Sequence, residues 1–127
     1  MADLVLDASA LLALLRCEPG ADQVEAVRPS ACISAVNLAE TFGKMVEHGK
    51  PLEATVAQIT RLRLTVVPFD EVQAGLAASI WRPARVIGLS FGDRACLALA
   101  LSRGLPVLTA DRAWAKLDVG LPIRVIR

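Results

Sequence analysis

Short apolar runs alternate along the chain with longer stretches whose apolar residues recur at helical spacing. Leu4–Leu6 is a strand-length run ending at Asp7. Ala8 and Ser9 lead into a helix over Ala10–Arg16, broken by Pro19-Gly20. A short helical stretch at Gln23–Val27 precedes a second strand, Ala31–Ser34. Ser34 suits a helix N-cap, because its hydroxyl accepts from an unpaired N–H of the first turn. That helix runs through Glu40 to about His48, with Val36, Leu38, Phe42, Met45 and Val46 as its apolar stripe. Gly49 stops it. Pro51 suits the first turn of the next helix, where its missing N–H costs nothing, and Leu52, Val56, Ile59 and Leu62 share one face.

Leu64–Val67 reads as the third strand, ended by Pro68. Asp70 caps a helix with Val72, Leu76 and Ile80 apolar; Pro83 ends it and leaves a loop to Leu89. Ser90 caps a helix that is apolar nearly all round, as a helix buried on most sides is. Gly104 stops it, Val107–Thr109 is the fourth strand, and a short helix through Trp114 and Leu117 leads to a last strand at Ile123–Ile126. Strands alternating with helices predict an α/β fold, a parallel sheet with crossover helices.

At 127 residues the chain fits one domain, 1–127. A 54% hydrophobic content and a mean hydropathy of +0.50 exclude a disordered tail. Aromatics are only 4%, with no Tyr, which argues against an aromatic platform for nucleic-acid bases; Trp81 and Trp114 read as packing residues. The net charge of +1 argues against a strongly basic nucleic-acid module. Three cysteines (Cys17, Cys32, Cys96) without CxxC spacing point away from a disulfide framework and toward a reducing cytoplasm. A single histidine, His48, excludes a multi-histidine metal site. The N-terminal run has no early positive side chain and is interrupted by Asp3 and Asp7, a poor secretory signal. No apolar run approaches the ~20 residues needed to span a membrane.

Four acids stand out by position. Asp7 ends strand one, Asp111 lies just past strand four, Asp93 is in the first turn of the buried helix, and Glu40 is in the second turn of the helix after strand two. In a parallel sheet, strand C-termini and following helix N-termini share one edge, where ligands bind. Each acid has a small polar neighbour: Ser9, Asn37, Ser90 and Thr109 respectively for Asp7, Glu40, Asp93 and Asp111. Two carboxylates ~4 Å apart repel by about 4 kcal/mol at an effective dielectric of about 20. Convergence therefore asks for protonation or a cation, and oxygen-only ligands suit Mg²⁺ or Mn²⁺. Taken singly, Asp93 reads as half of a Ser90/Asp93 capping box, Asp111 as a turn residue and Glu40 as a solvent-facing helix residue. Asp7 resists that treatment, since an acid between two apolar segments needs a partner.

The stretches Val5-Leu6-Asp7-Ala8-Ser9-Ala10-Leu11, Ser34-Ala35-Val36-Asn37-Leu38-Ala39-Glu40, Gly88-Leu89-Ser90-Phe91-Gly92-Asp93-Arg94-Ala95-Cys96-Leu97-Ala98 and Leu108-Thr109-Ala110-Asp111-Arg112-Ala113-Trp114 together resemble a PIN domain. Within that group the resemblance is to the VapC-type ribonuclease toxins of bacterial toxin–antitoxin pairs, and it covers essentially the whole chain. It implies a five-stranded parallel sheet flanked by helices, and endonucleolytic cleavage of RNA by water with Mg²⁺ or Mn²⁺ in an acidic pocket. By position, Asp7 and Asp93 look like the main metal ligands. Glu40 and Asp111 look like the remaining acids, holding the metal or its waters or activating the attacking water. Ser9, Asn37 and Thr109 look like supporting groups. The family implies a homodimer silenced by a cognate antitoxin protein.

Arg82, Arg85, Arg94, Arg112 and Lys116 lie near the segments carrying Asp93 and Asp111. Arg94 and Arg112 each directly follow a site acid and are the RNA-binding candidates, holding phosphates without reading sequence. Asp118, further on, offers a fifth acid near the site, though its loop position reads rather as solvated. Setting the four acids aside leaves nine acidic against 14 basic side chains, so an acidic pocket sits in a mildly basic body. Three other readings compete. A haloacid-dehalogenase-like phosphatase needs a second Asp where Ser9 stands. A receiver domain needs an early acidic pair and a late Lys, both missing here. An inactive PIN domain would serve only as an antitoxin-binding partner.

Overall fold

The computed structural model describes residues 2–127; Met1, at the edge of the expected 1–127 domain, lies outside them. Five strands form one all-parallel sheet: β1 (Leu4–Leu6), β2 (Ala31–Ser34), β3 (Thr65–Val67), β4 (Val107–Thr109) and β5 (Ile123–Val125). Their order is β3-β2-β1-β4-β5. The chain builds outward from β1 in one direction and then crosses to its other side. The boundary between β1 and β4 is therefore a topological switch point. Register brings Leu6 beside both Ile33 and Leu108, so Asp7, Ser34 and Thr109 emerge at one edge.

Seven helices cover the sheet: α1 (Ala8–Leu15), α2 (Ala21–Val27), α3 (Ala35–Glu47), α4 (Leu52–Leu62), α5 (Glu71–Ser79), α6 (Trp81–Val86) and α7 (Phe91–Arg103). Successive residues of a strand point to opposite faces. Val5 accordingly joins the core that holds Leu97, Leu99 and Trp114, while Leu6 joins the core that holds Ala10, Ala13, Val24 and Leu108. Ala95 through Ala100 of α7 are all buried, as the apolar pattern predicts.

Several boundaries and faces differ from the sequence reading. Asp7 itself caps α1, so that helix opens at Ala8 rather than Ala10. The helix α2 starts at Ala21, two residues before the expected Gln23, and β3 begins at Thr65. Pro83 does not begin a loop. It sits in the first three residues of α6, where a missing N–H removes no helical bond. The segment through Trp114 is a 3₁₀ turn, Arg112–Lys116, and β5 ends at Val125.

On α3 the buried face is Asn37, Thr41 and Met45, while Val46 is exposed. On α5 it is Gln73 and Ala77, with Ile80 just beyond, while Val72 is exposed. Both faces admit a polar side chain whose donor groups find backbone carbonyls, although the Asn37 Oδ1 and Gln73 Oε1 acceptors have no partner. Thr41 Oγ1 donates to the Asn37 carbonyl and Gln73 Nε2 to that of Pro68. On α4, Leu52 and Val56 stay exposed and only Ile59 of the expected apolar face is buried. Trp114 is fully buried, but Trp81, expected as packing, is half exposed. No helix among the described residues is long and apolar enough to cross a membrane.

Candidate functional site

Asp7 is 3% exposed and leaves β1 with extended backbone. Its Oδ1 accepts the Ala10 N–H at 2.8 Å, the N-cap bond of α1. The Ser9 hydroxyl lies 2.7 and 2.9 Å from the two carboxylate oxygens, and Thr109 Oγ1 donates to Oδ2 at 2.6 Å. Ser9 Oγ accepts the Ala110 N–H, and Thr109 Oγ1 accepts that of Asp111. The ends of β1 and β4 are thus tied through one carboxylate.

Among the described residues every donor to Asp7 is neutral. Burial pushes its carboxyl from 3.8 up to about 6; the bonds from Thr109, Ala10 and Ser9 oppose that rise, and the charge of Asp93 adds to it.

Glu40 approaches from α3. Asn37 Nδ2, one turn earlier, donates to Glu40 Oε1 at 2.7 Å and to the Gly92 carbonyl at 2.8 Å, locking α3 to the start of α7. A Cβ on Gly92 would fall on the Glu40 carboxylate, well inside the 3.0 Å that real Cβ atoms keep. Only glycine leaves this seat open.

Asp93 completes a capping box. Its Oδ2 accepts the Ser90 N–H at 2.9 Å and its own N–H reaches Ser90 Oγ at 3.2 Å. Cys96, fully buried one turn on, has its thiol held well above its ordinary range by burial, then by the charges of Asp7 and Asp93, with smaller contributions from Cys32 and Glu40. Gly92 meets the Glu40 carboxylate and directly precedes Asp93, and Asn37 ties α3 to that turn, so Glu40 and Asp93 stand together at the edge where Asp7 leaves β1.

Asp111 stands apart. It is exposed, and its Oδ1 caps the 3₁₀ turn through the Ala113 N–H at 2.9 Å. Asp118 is exposed in the loop beyond. Arg94 lies over the Trp81 ring, and Arg112 Nε donates to the Arg127 carbonyl at 3.0 Å.

Among the described residues the ion pairs are Arg28–Glu25, Lys44–Glu47 and Arg127–Glu18, and none involves these acids. Three carboxylates share an edge without a cationic partner, one of them buried. That donor set, all oxygen, suits a hard divalent cation. As the side chains stand, however, no three acids, histidines or cysteines among the described residues are close enough to enclose one.

The sequence reading overlooked Gly92 and Cys96. A glycine in the first turn of an otherwise well-formed helix was the available signal, since it costs helix propensity without a local reason.

Residues 4–120 match the family model described as the PIN domain. No curated protein matches the sequence. Solved structures share the fold. VapBC from Salmonella typhimurium, bound to DNA, matches at 21% identity over 100% of both chains, with a TM-score of 0.78. VapC20 of Mycobacterium tuberculosis, described as a sarcin–ricin loop cleaving toxin, matches at 19% identity over 94% of this chain and 100% of that one, TM-score 0.71. VapBC-5 of the same organism matches at 24% identity over 100% and 99%, TM-score 0.63.

Proposed function

Because the chain belongs to the PIN domain family, we propose that it is a metal-dependent endoribonuclease, the toxin of a bacterial toxin–antitoxin pair. The observation that carries this reading is the buried, uncompensated Asp7 carboxylate at the switch point, with Asp93 and Glu40 at the same edge. The likeness to an RNA-cleaving toxin and to toxin–antitoxin complexes supports an RNA substrate and an antitoxin partner. A homodimer working in the cytoplasm completes the proposal.

In it, Asp7, Asp93 and Glu40 hold Mg²⁺ or Mn²⁺, and Asp111 joins by turning from its cap. The cation supplies positive charge against the scissile phosphate and makes water a stronger nucleophile. The chain's own part is to fix the acids beforehand. Ser9 and Thr109 orient Asp7, Asn37 orients Glu40, and the Ser90 backbone holds one oxygen of Asp93 and leaves the other free. Such partners set ligand orientation. Arg94 and Arg112 hold the flanking phosphates.

The test is purified protein, free of antitoxin, incubated with total RNA and Mg²⁺ or Mn²⁺. Cleavage is expected, lost with EDTA and in Asp7→Ala and Asp93→Ala. Metal-independent cutting, or full activity in both variants, refutes the mechanism. The separation of the acids as they stand favours one second reading, an inactive PIN domain that binds antitoxin only. Failure to cut RNA with intact antitoxin binding would establish it.

A further inference from the structure

Trp81 opens α6 and Phe91 opens α7, and each is 50% exposed. The Arg94 guanidinium lies 4.3 Å from the centre of the Trp81 ring and 5.7 Å from that of Phe91. Phe91 in turn meets Phe69 edge-on at 5.6 Å. Hollows open around the indole. One of about 330 Å³ is lined by Phe69, Ala77, Trp81, Phe91 and Arg94. A second, of about 230 Å³, adds Arg85, and a third brings in Arg82.

Three features separate this patch from an ordinary solvated surface. Arg82, Arg85 and Arg94 form no ion pair among the described residues, so the guanidinium over the indole and the two arginines lining the hollows beside it have no carboxylate to answer them. Half of Trp81 stays in water, though burying a large aromatic is strongly favourable. And Phe91 and Arg94 flank Gly92 and Asp93, so the patch shares a helical turn with the acid site.

We infer that Trp81 and its arginines form a nucleotide subsite, taking one unpaired base of a single-stranded RNA beside the cut. The base stacks on the exposed indole, and Arg82 and Arg85 take the phosphates on either side. Stacking asks only for an open π-face, which every unpaired base has and a base inside a duplex lacks. Arg94, already over the ring, braces the indole by a cation–π contact and keeps its N–H groups for the phosphate it holds. The subsite selects RNA with a looped-out or single-stranded base, and Arg94 joins it to the acid edge because it follows Asp93 in the chain. Its place beside a cut rests on the ribonuclease reading; its binding of RNA does not.

The protein carries its own reporter. It has two tryptophans and no tyrosine, and Trp114 is wholly buried. The full chain is titrated with a short single-stranded RNA in EDTA, and again as Asp7→Asn with Mg²⁺, following tryptophan emission. Saturable quenching is expected, absent in Trp81→Phe and absent with the same sequence as a duplex. In a filter-binding assay Trp81→Ala weakens the complex roughly 5- to 150-fold. Arg82→Ala and Arg85→Ala each lower the slope of affinity against salt by about one.

Equal quenching by duplex, unchanged affinity in Trp81→Ala, or emission that shifts with protein concentration alone overturns the subsite, the last by showing a second copy on the indole. If RNA is cut but Trp81→Ala binds normally, the subsite fails and the nuclease stands. If Trp81→Ala weakens binding but no RNA is cut, the subsite stands and the nuclease reading fails.

Discussion

Replacing Gly92 by alanine tests whether the Glu40 carboxylate is held where it must be. Glycine within a helix costs about 1 kcal/mol relative to alanine, so propensity alone predicts that Gly92→Ala stabilises the protein. The added methyl, however, overlaps the Glu40 carboxylate. Carbon atoms settle about 3.5–4.0 Å from their neighbours, so the carboxylate must retreat by about 1 Å or more. Glu40 is a flexible chain on a half-buried position, and it can swing away at the loss of its bond from Asn37. A hydrogen bond to a charged group contributes about 1.5–3 kcal/mol, which offsets the propensity gain. The variant is expected to melt within a few degrees of the parent. A catalytic group displaced by about 1 Å can cost about 10²-fold in rate, and RNA cleavage is expected to fall by that order. Gly75→Ala is the control: a Cβ there meets nothing within 4 Å, so it should gain stability and keep activity. The decisive comparison is a double-mutant cycle with Glu40→Ala. If the methyl acts by expelling Glu40, Gly92→Ala adds no further loss once Glu40 is gone. An equal loss in both backgrounds refutes the reasoning.

The carboxyl of Asp7 titrates higher in the folded chain than in the unfolded one, so the folded state binds the extra proton. Its favourable contribution is complete below about pH 3.8 and lost as pH rises through about 6, a swing of about 3 kcal/mol. In metal-free protein, Asp7→Asn should therefore flatten the fall in stability between pH 4 and 7 and raise the melting temperature at pH 7.5 by several degrees; denaturant melts across that range check it. A divalent cation should relieve the same penalty: Mn²⁺ at about 100 times its dissociation constant adds about 2.7 kcal/mol, and calorimetry should show this gain in the parent but not in Asp7→Asn. Gly20 has φ +96° and its Cβ would lie 2.7 Å from the Ile126 side chain, itself buried. Gly20→Ala should lose about 2–4 kcal/mol in urea titration, strain and overpacking together.

The sheet is readable because each strand is a short apolar run between breakers, and Asp7 and Asp111 stand where two such runs end. Leu4–Leu6 and Asp7 show this most plainly: apolar alternation sets the strand, and a lone acid after it has nowhere to go but the sheet's edge. What escaped the sequence depends on neighbours far along the chain. The inward face of α3 is polar because Asn37 reaches the Gly92 carbonyl, 55 residues away, and no periodicity encodes that bond. Proline marks both a helix's end and its first turn, and the pattern around Pro83 does not say which. Hydrophobicity says where Trp81 prefers to be, not whether the fold has room for it. Asp93 and Asp111 both make the local caps that their sequence positions suggest.

The bond between Thr109 and Asp7 spans 102 residues. A ribosome adding about 5–20 residues each second takes roughly 5–20 s to travel from one to the other. Until β4 has emerged, Asp7 lacks the hydroxyl that orients it and the switch point does not exist. A chain that stops before β4 therefore lacks the Thr109 hydroxyl that holds Asp7. For a protein proposed to cut RNA, the order of strands in the sheet delays the setting of Asp7 until β4 has been made.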